Sequence, residues 1–285
     1  MNYRELLASI TPRLTSALGD GEGRAAAYVI MDDVAHADKN FIFAYGDRTV
    51  LPFVQDKVMA AVSAVEKGTP VQYAVGLARF CGRDFIVTPA VLIPRPETEW
   101  LVDAAVRRFG DRQDLRILDI GTGSGCIAVS LAADLPWPQV DAMDISGDAL
   151  NVARGNARRF NVKVNFIRQD IFTARPLDAS YDAVISNPPY VLNSERTAMD
   201  ARVADREPAQ ALFVPSDSDP LAIYRAIASY AAVALVPGGW IALEINPLCA
   251  DDMLKLLNDK GFANPQLERD CFGRYRFVTA TKQDD

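Results

Sequence analysis

From residue 115 onward the chain alternates short apolar runs with helix-like stretches, and this β-α repetition restricts the fold more than any other feature. Residues 115–120, 140–144, 164–168 and 181–186 are the runs expected of buried parallel strands. Helical stretches intervene near 126–133 and 149–160, and Ile223, Ile227, Tyr230, Ala231 and Ala234 mark another. After Pro237-Gly238-Gly239, residues 240–245 make a further strand, 253–257 are helical, and 265–269 and 275–280 close the chain as strands. Units of this kind specify a doubly wound α/β sheet with ligands at the carboxyl ends of its strands.

The first third reads differently. Tyr3, Leu6, Leu7 and Ile10 fall at helix spacing, as do Ala27, Ile30, Met31 and Val34, and Val54, Val58, Ala61, Val62 and Val65. Gly19-Asp20-Gly21 and Gly46-Asp47 separate the segments, and Gly68 stops the last one. The expectation is a small helical docking module over residues 1–70. Residues 72–80 and 84–88 alternate across Cys81-Gly82-Arg83, which predicts a β-hairpin within a linker of residues 71–95. The second domain then occupies 96–285. The segment Ile93-Pro94-Arg95-Pro96-Glu97-Thr98-Glu99 leads from the linker into it, and Pro96 and the glutamates suit the first turn of a helix.

Asp119-Ile120-Gly121-Thr122-Gly123-Ser124-Gly125 lies where the first strand of the sheet turns into a helix. Glycines there let a ligand rest on the backbone. Such a loop alone is also compatible with NAD or FAD. The spacing is G-x-G-x-G, not the pyrophosphate-binding G-x-G-x-x-G, and Asp119 would repel a diphosphate while suiting a cation. Asp144, ending the second strand, can accept from ribose hydroxyls, with Ile145 beside it. Asp170-Ile171 follows the third strand, where an acid can accept from an adenine amine and an apolar side chain can pack on the ring; a solvated loop acid explains Asp170 equally well. Together these features point to an adenosyl group bearing a positive centre, hence to S-adenosylmethionine.

Ser186-Asn187-Pro188-Pro189-Tyr190 ends the fourth strand, on the same edge as the glycine loop. Paired prolines stiffen the turn and leave its carbonyls available. The Asn187 side chain and the Pro188 carbonyl can bind both hydrogens of a planar –NH2 group, and Tyr190 offers it a wall. A carboxamide nitrogen is a poor nucleophile because its lone pair is delocalised. Fixing it and favouring positive charge on it is therefore the chemistry such a turn can supply.

Lys and Arg number 30 against 37 Asp and Glu, a net charge of −7, which argues against a nucleic-acid backbone as the main partner. Cys81, Cys126, Cys249 and Cys271 are scattered and His36 is the only histidine, so no metal site is expected and the cysteines read as reduced core thiols. The start of the chain lacks a signal-peptide layout, and no apolar run is long enough to span a bilayer. A cytoplasmic, monomeric protein is expected.

The sequence resembles the PrmC/HemK family of release-factor glutamine methyltransferases. The resemblance rests on Gly68-Thr69-Pro70-Val71-Gln72-Tyr73, Val87-Thr88-Pro89, the Leu92-Ile93-Pro94-Arg95-Pro96-Glu97-Thr98-Glu99 segment, the 119–125 loop, Asp144-Ile145-Ser146 and the 187–190 turn. It implies a Rossmann-like class I methyltransferase sheet, mostly parallel with an antiparallel last strand, behind an N-terminal helical domain that helps hold a protein substrate. It implies methyl transfer from S-adenosylmethionine to the glutamine N5 of the Gly-Gly-Gln motif in peptide chain release factors. The 121–125 loop, Asp144, Ile171 and Asn187 would bind the cofactor. Asn187, Pro188, Pro189 and Tyr190 would hold the glutamine, with Arg95 and Glu97 on the substrate side. The alternatives are methylation of an exocyclic amine on nucleic acid, and of a glutamine in a ribosomal protein. Arg206-Glu207-Pro208 matches the family as a structural segment. Relatives often carry an aromatic residue where this chain has Ile171, predicting weaker stacking. Asn246-Pro247-Leu248-Cys249 and Ser216-Asp217-Ser218-Asp219-Pro220 also depart from the family pattern, at places expected to lie away from the 187–190 turn.

Overall fold

The computed structural model describes residues 1–176 and 179–283; the expected C-terminal bound, Asp285, lies outside them. The chain divides into two compact units, Met1–Leu77 with Asp200–Arg206, and Ala78–Met199 with Glu207–Asp285. Composition alone gives no sign that the short 200–206 excursion belongs with the first unit.

The first unit is built on α1 (Tyr3–Leu18), α2 (Asp20–Ala35), α3 (Lys39–Tyr45), α4 (Pro52–Glu66) and α5 (Val71–Val75). A capping box starts α1: Asn2 Oδ1 accepts from the Glu5 N–H at 2.8 Å, and the Asn2 N–H donates to Glu5 Oε2 at 2.9 Å. Leu6, Ile10 and Leu14, spaced for one helix face, are buried with Ala27 and Ile30 of α2 and Val58 and Val62 of α4. A Cβ on Gly23 would come within 2.4 Å of the Thr15 Cα, so the close approach of α2 to α1 depends on glycine.

The strand expected over 72–80 starts only at Leu77. Residues Val71–Val75 are helical because Gly76, at φ +79°, closes a turn whose N–H donates to the Gln72 carbonyl. Val71, Ala74 and Val75 then pack on the helical core.

A hairpin follows, β1 (Leu77–Phe80) and β2 (Arg83–Ile86), turning through Cys81 and Gly82 at φ +46° and +70°. Two positive φ values are what a two-residue hairpin turn of this hand requires. The rest of the second unit runs α6 (Glu99–Phe109), β3 (Arg116–Ile120), α7 (Cys126–Asp134), β4 (Gln139–Asp144), α8 (Gly147–Arg159), β5 (Asn165–Arg168) and β6 (Tyr181–Ser186). After α9 (Ala201–Ala204), which is counted with the first unit, come α10 (Ala209–Leu212), α11 (Ala222–Ala234) and β7 (Leu235–Glu244). The chain ends with α12 (Ala250–Asp259), β8 (Phe262–Arg269) and β9 (Tyr275–Lys282).

The seven-stranded sheet has the order β5-β4-β3-β6-β7-β9-β8, with β9 antiparallel to both its neighbours and the other pairs parallel. Strand β7 begins before Pro237-Gly238-Gly239, not after it. Its pairing jumps from Tyr181↔Leu235 to Ala183↔Trp240, so these residues form an irregularity within the strand. Side-chain alternation sends Leu118, Ile120, Val184 and Leu243 into a core with α11 and α12. Ile117, Ala183, Ile185 and Ala242 go into another with α6 and α7.

Cys126 and Cys249 are buried, but Cys271 is exposed in the β8–β9 turn, so it is not a core thiol. Among the described residues no helix is long and apolar enough to cross a membrane.

Candidate active site

The carboxyl ends of β3, β4, β5 and β6 open into a cavity of ≈ 460 Å³, within the roughly 300–1,000 Å³ of small-molecule sites. It lies where the strand order reverses about β3, the usual ligand crevice of such sheets.

Gly121 and Gly123 line it with φ of +73° and +54°, and a Cβ on either would meet no atom within 4 Å. A ligand can therefore lie directly against this backbone. The Gly121 and Thr122 N–H groups both donate to the Met143 carbonyl, which ties the loop to the end of β4. Thr122 and Ser124 also line the cavity and are buried.

Gly125 does not line it. A Cβ there would stand 2.9 Å from the Ala153 Cβ, so this glycine serves the packing of α7 on α8. Asp119 is likewise outside the wall, because alternation along β3 turns it toward α7. There its Oδ2 accepts from the Thr122 hydroxyl at 2.6 Å and the Ala128 N–H at 3.3 Å, capping the helix. Its Oδ1 is buried without a partner among the described residues, and burial pushes the carboxyl up to about 7. The direct cationic contact expected of Asp119 is thus replaced by a strut beneath the loop.

Asp144 does line the cavity. Its Oδ2 accepts from the Gly123 N–H and its Oδ1 from the Ser146 N–H, each at 2.9 Å. Burial raises its pKa, and those N–H groups oppose the rise. Ile145 stands half exposed at the rim, and Asp170 accepts from the Phe172 N–H at 2.9 Å. Ile171 faces the cavity while resting on the core, and the exposed Phe172 beside it adds the aromatic surface missing at 171.

Asn156 of α8, absent from the sequence-based candidates, joins this loop to the hairpin. Fully buried, it accepts from the Ile86 N–H at 2.7 Å and donates to the Ile86 and Ser124 carbonyls at 3.0 and 2.8 Å. Asn156→Ala strands three backbone groups and is expected to lower the unfolding free energy by about 2–4 kcal/mol, measured by urea denaturation.

Asn187, Pro188 and Pro189 form the facing wall. The Asn187 Nδ2 donates to Thr98 Oγ1 at 3.0 Å, and that hydroxyl donates to Glu244 Oε2 at 2.7 Å. Tyr190 does not line the cavity. Its hydroxyl donates to Glu244 Oε1 at 2.9 Å and its ring lies beneath the Arg276 guanidinium, 5.4 Å from the ring centroid. Burial pushes its phenol up, so it stays a donor. The wall expected from its ring is instead an internal brace.

Arg95 lines the cavity and pairs with the buried Glu207 at 2.6 Å, whose second oxygen accepts from the Ile93 N–H at 3.0 Å. Glu97 is half-buried and outside the wall. Nor do the departures from the family pattern all lie at a distance. The Asn246 Nδ2 donates to the Tyr190 carbonyl at 3.1 Å and to Glu195 at 2.9 Å, while Asp217 accepts from the N–H groups of Asn193 and Ser194. Both therefore brace the chain around the turn.

The methyltransferase small domain model matches residues 99–210, and that of the PrmC N-terminal domain residues 5–76. The release factor glutamine methyltransferase of Bacteroides thetaiotaomicron is 43% identical over 262 residues, 92% of this chain and 93% of its own. That of Koribacter versatilis is 36% identical, with 91% of each chain covered. A solved structure of the T. thermophilus 16S rRNA N2 G1207 methyltransferase, in complex with AdoMet and guanosine, shares the fold. Its TM-score is 0.54 at 22% identity, covering 73% of this chain and 50% of that one. Matched at this identity along nearly their whole length, the chain belongs to the family of release factor glutamine methyltransferases.

Proposed function

We propose that the protein transfers a methyl group from S-adenosylmethionine to N5 of the glutamine in the Gly-Gly-Gln motif of a peptide chain release factor. The observation that carries this reading is the Asn187 amide, held by its nitrogen at the wall of a cavity whose opposite side is open glycine backbone.

The residues present suit that cofactor. At Gly121 and Gly123 the backbone gives a surface with no Cβ in the way. A carboxylate has about four acceptor sites, so Asp144 retains capacity for a ribose diol beyond its two backbone donors. Asp170 would accept from the adenine amine, with Ile145, Ile171 and Phe172 about the ring. S-adenosylmethionine, when bound, supplies a methyl group on a cationic sulfur.

The chain's own residues deal with the nitrogen. Asn187 Oδ1 and the Pro188 carbonyl would accept its two hydrogens, hold it in line and favour the positive charge that develops on it. Pro189 keeps the turn rigid, and Tyr190 and Arg95 fix the segments on either side. No basic side chain is needed, since the proton leaves a nitrogen made far more acidic by methyl transfer.

The test uses purified protein, labelled cofactor, a release factor and nucleic acid side by side, read by mass spectrometry. The label is expected on the motif glutamine and absent from a Gln→Ala release factor. Label on nucleic acid alone rejects the reading.

A further inference from the structure

Glu244 is a carboxylate inside an otherwise apolar run, flanked by Leu243 and Ile245 with no exposure, and is itself 1% exposed. Isolating a charge in that setting costs several kcal/mol unless it is fully hydrogen-bonded. No strand or helix needs it, so its use is to be sought in what it touches. The pairing Ser186↔Leu243 makes Asn187 and Glu244 the next residues on adjacent strand ends. Thr98, from the segment before α6, stands between them and is 2% exposed.

The hydrogen-bond directions follow from chemistry. Burial raises the Glu244 pKa while the Thr98 and Tyr190 hydroxyls and the Arg276 charge favour its ionised form, which only accepts, and a threonine hydroxyl has one proton to give. The proton of Thr98 therefore points to Glu244 Oε2, leaving its lone pairs toward Asn187. The Asn187 atom facing Thr98 must then be its NH2 group, which directs Oδ1 to the opposite side of the amide. Were Thr98 free to rotate, the Asn187 amide could flip and present a donor to the substrate nitrogen.

There is an electronic consequence as well. An amide whose N–H is drawn toward an anion places more negative charge on its oxygen, and such polarisation strengthens along a chain of hydrogen bonds in a low-dielectric interior. Tyr190 occupies the other carboxylate oxygen and Arg276 lies over the Tyr190 ring, so the charge is directed and compensated.

Building on the glutamine-methylation reading, we infer that Thr98 and Glu244 are positioning residues, which set the orientation and acceptor strength of Asn187 for the substrate amide. Thr98 borders the cavity with its hydroxyl committed to Glu244 and Asn187, Glu244 lies behind it off the wall, and the effect on the reaction is assigned to the Asn187 amide that they hold.

The experiment compares wild type with Thr98→Val, Thr98→Ser and Glu244→Gln, measuring kcat, KM for release factor and cofactor Kd. Thr98→Val keeps the β-branched shape and removes the hydroxyl. Its kcat is expected to fall about 10- to 100-fold, the range of one charge-assisted hydrogen bond, with KM and Kd nearly unchanged. Thr98→Ser should restore most of it. Glu244→Gln should lower kcat in the same manner if Thr98→Val does not fold. The inference is overturned if kcat is unchanged in a folded Thr98→Val, or if KM and Kd rise in step with its loss. Absence of glutamine labelling by wild type would instead refute the underlying reading.

Discussion

Asn187→Ala is expected to reduce kcat by roughly 10²- to 10³-fold, the loss typical of removing one preorganised polar contact to the reacting group. Cofactor affinity should stay within about twofold, because contacts that bind ground and transition states alike are left in place. The variant should fold, since Asn187 is half-buried and its only described side-chain bond is to Thr98. Single-turnover methylation of a release factor, alongside calorimetric titration of the cofactor, separates the two quantities. Equal losses in rate and affinity would mean that Asn187 holds the cofactor more than the amide.

The second large effect is on the opposite wall. Gly123→Val places a branched side chain in the open space above the loop, at a φ of +54° that valine adopts only under strain. Cofactor affinity should weaken by about 100-fold, near 2.7 kcal/mol, while the sheet core remains intact. Gly125→Val supplies the contrast. Its side chain would meet Ala153 at 2.9 Å, so overpacking is expected to lower stability by about 1–3 kcal/mol before ligand binding is touched. Thermal melts with and without cofactor distinguish them: Gly123→Val loses the ligand-induced shift, and Gly125→Val lowers the melt of the free protein. If both variants behaved alike, the division of labour among these glycines would be wrong.

Strands β3, β4 and β6 were legible because each is a short, largely apolar run closed by a glycine, an acid or an Asn-Pro turn, whereas the Pro237-Gly238-Gly239 interruption hid the start of β7. The run at 181–186 coincides with β6. The region at 72–75 misled because alternation over a few residues is also compatible with a helical turn, and only Gly76 and packing on the helical core decide it. Within the site, residue types were legible but side-chain directions were not. Asp119 and Gly125 belong to the expected loop, yet the pleat of β3 and the nearness of α8 turn both toward packing. Tyr190 follows Pro189 by one residue and faces the other way.

Asn156, Asn246 and Glu207 act through bonds to segments far off in sequence, which no local pattern announces. Glu244 did leave a signal, as an acid interrupting the apolar series Ile241-Ala242-Leu243-Glu244-Ile245.

The Thr98 hydroxyl bridges partners 89 and 146 residues away along the chain. Contacts of such separation carry a large loop-closure entropy. The amide oxygen of Asn187 is therefore aligned by a carboxylate at the end of β7, and the alignment inferred above depends on that late segment of the sequence pairing with β6.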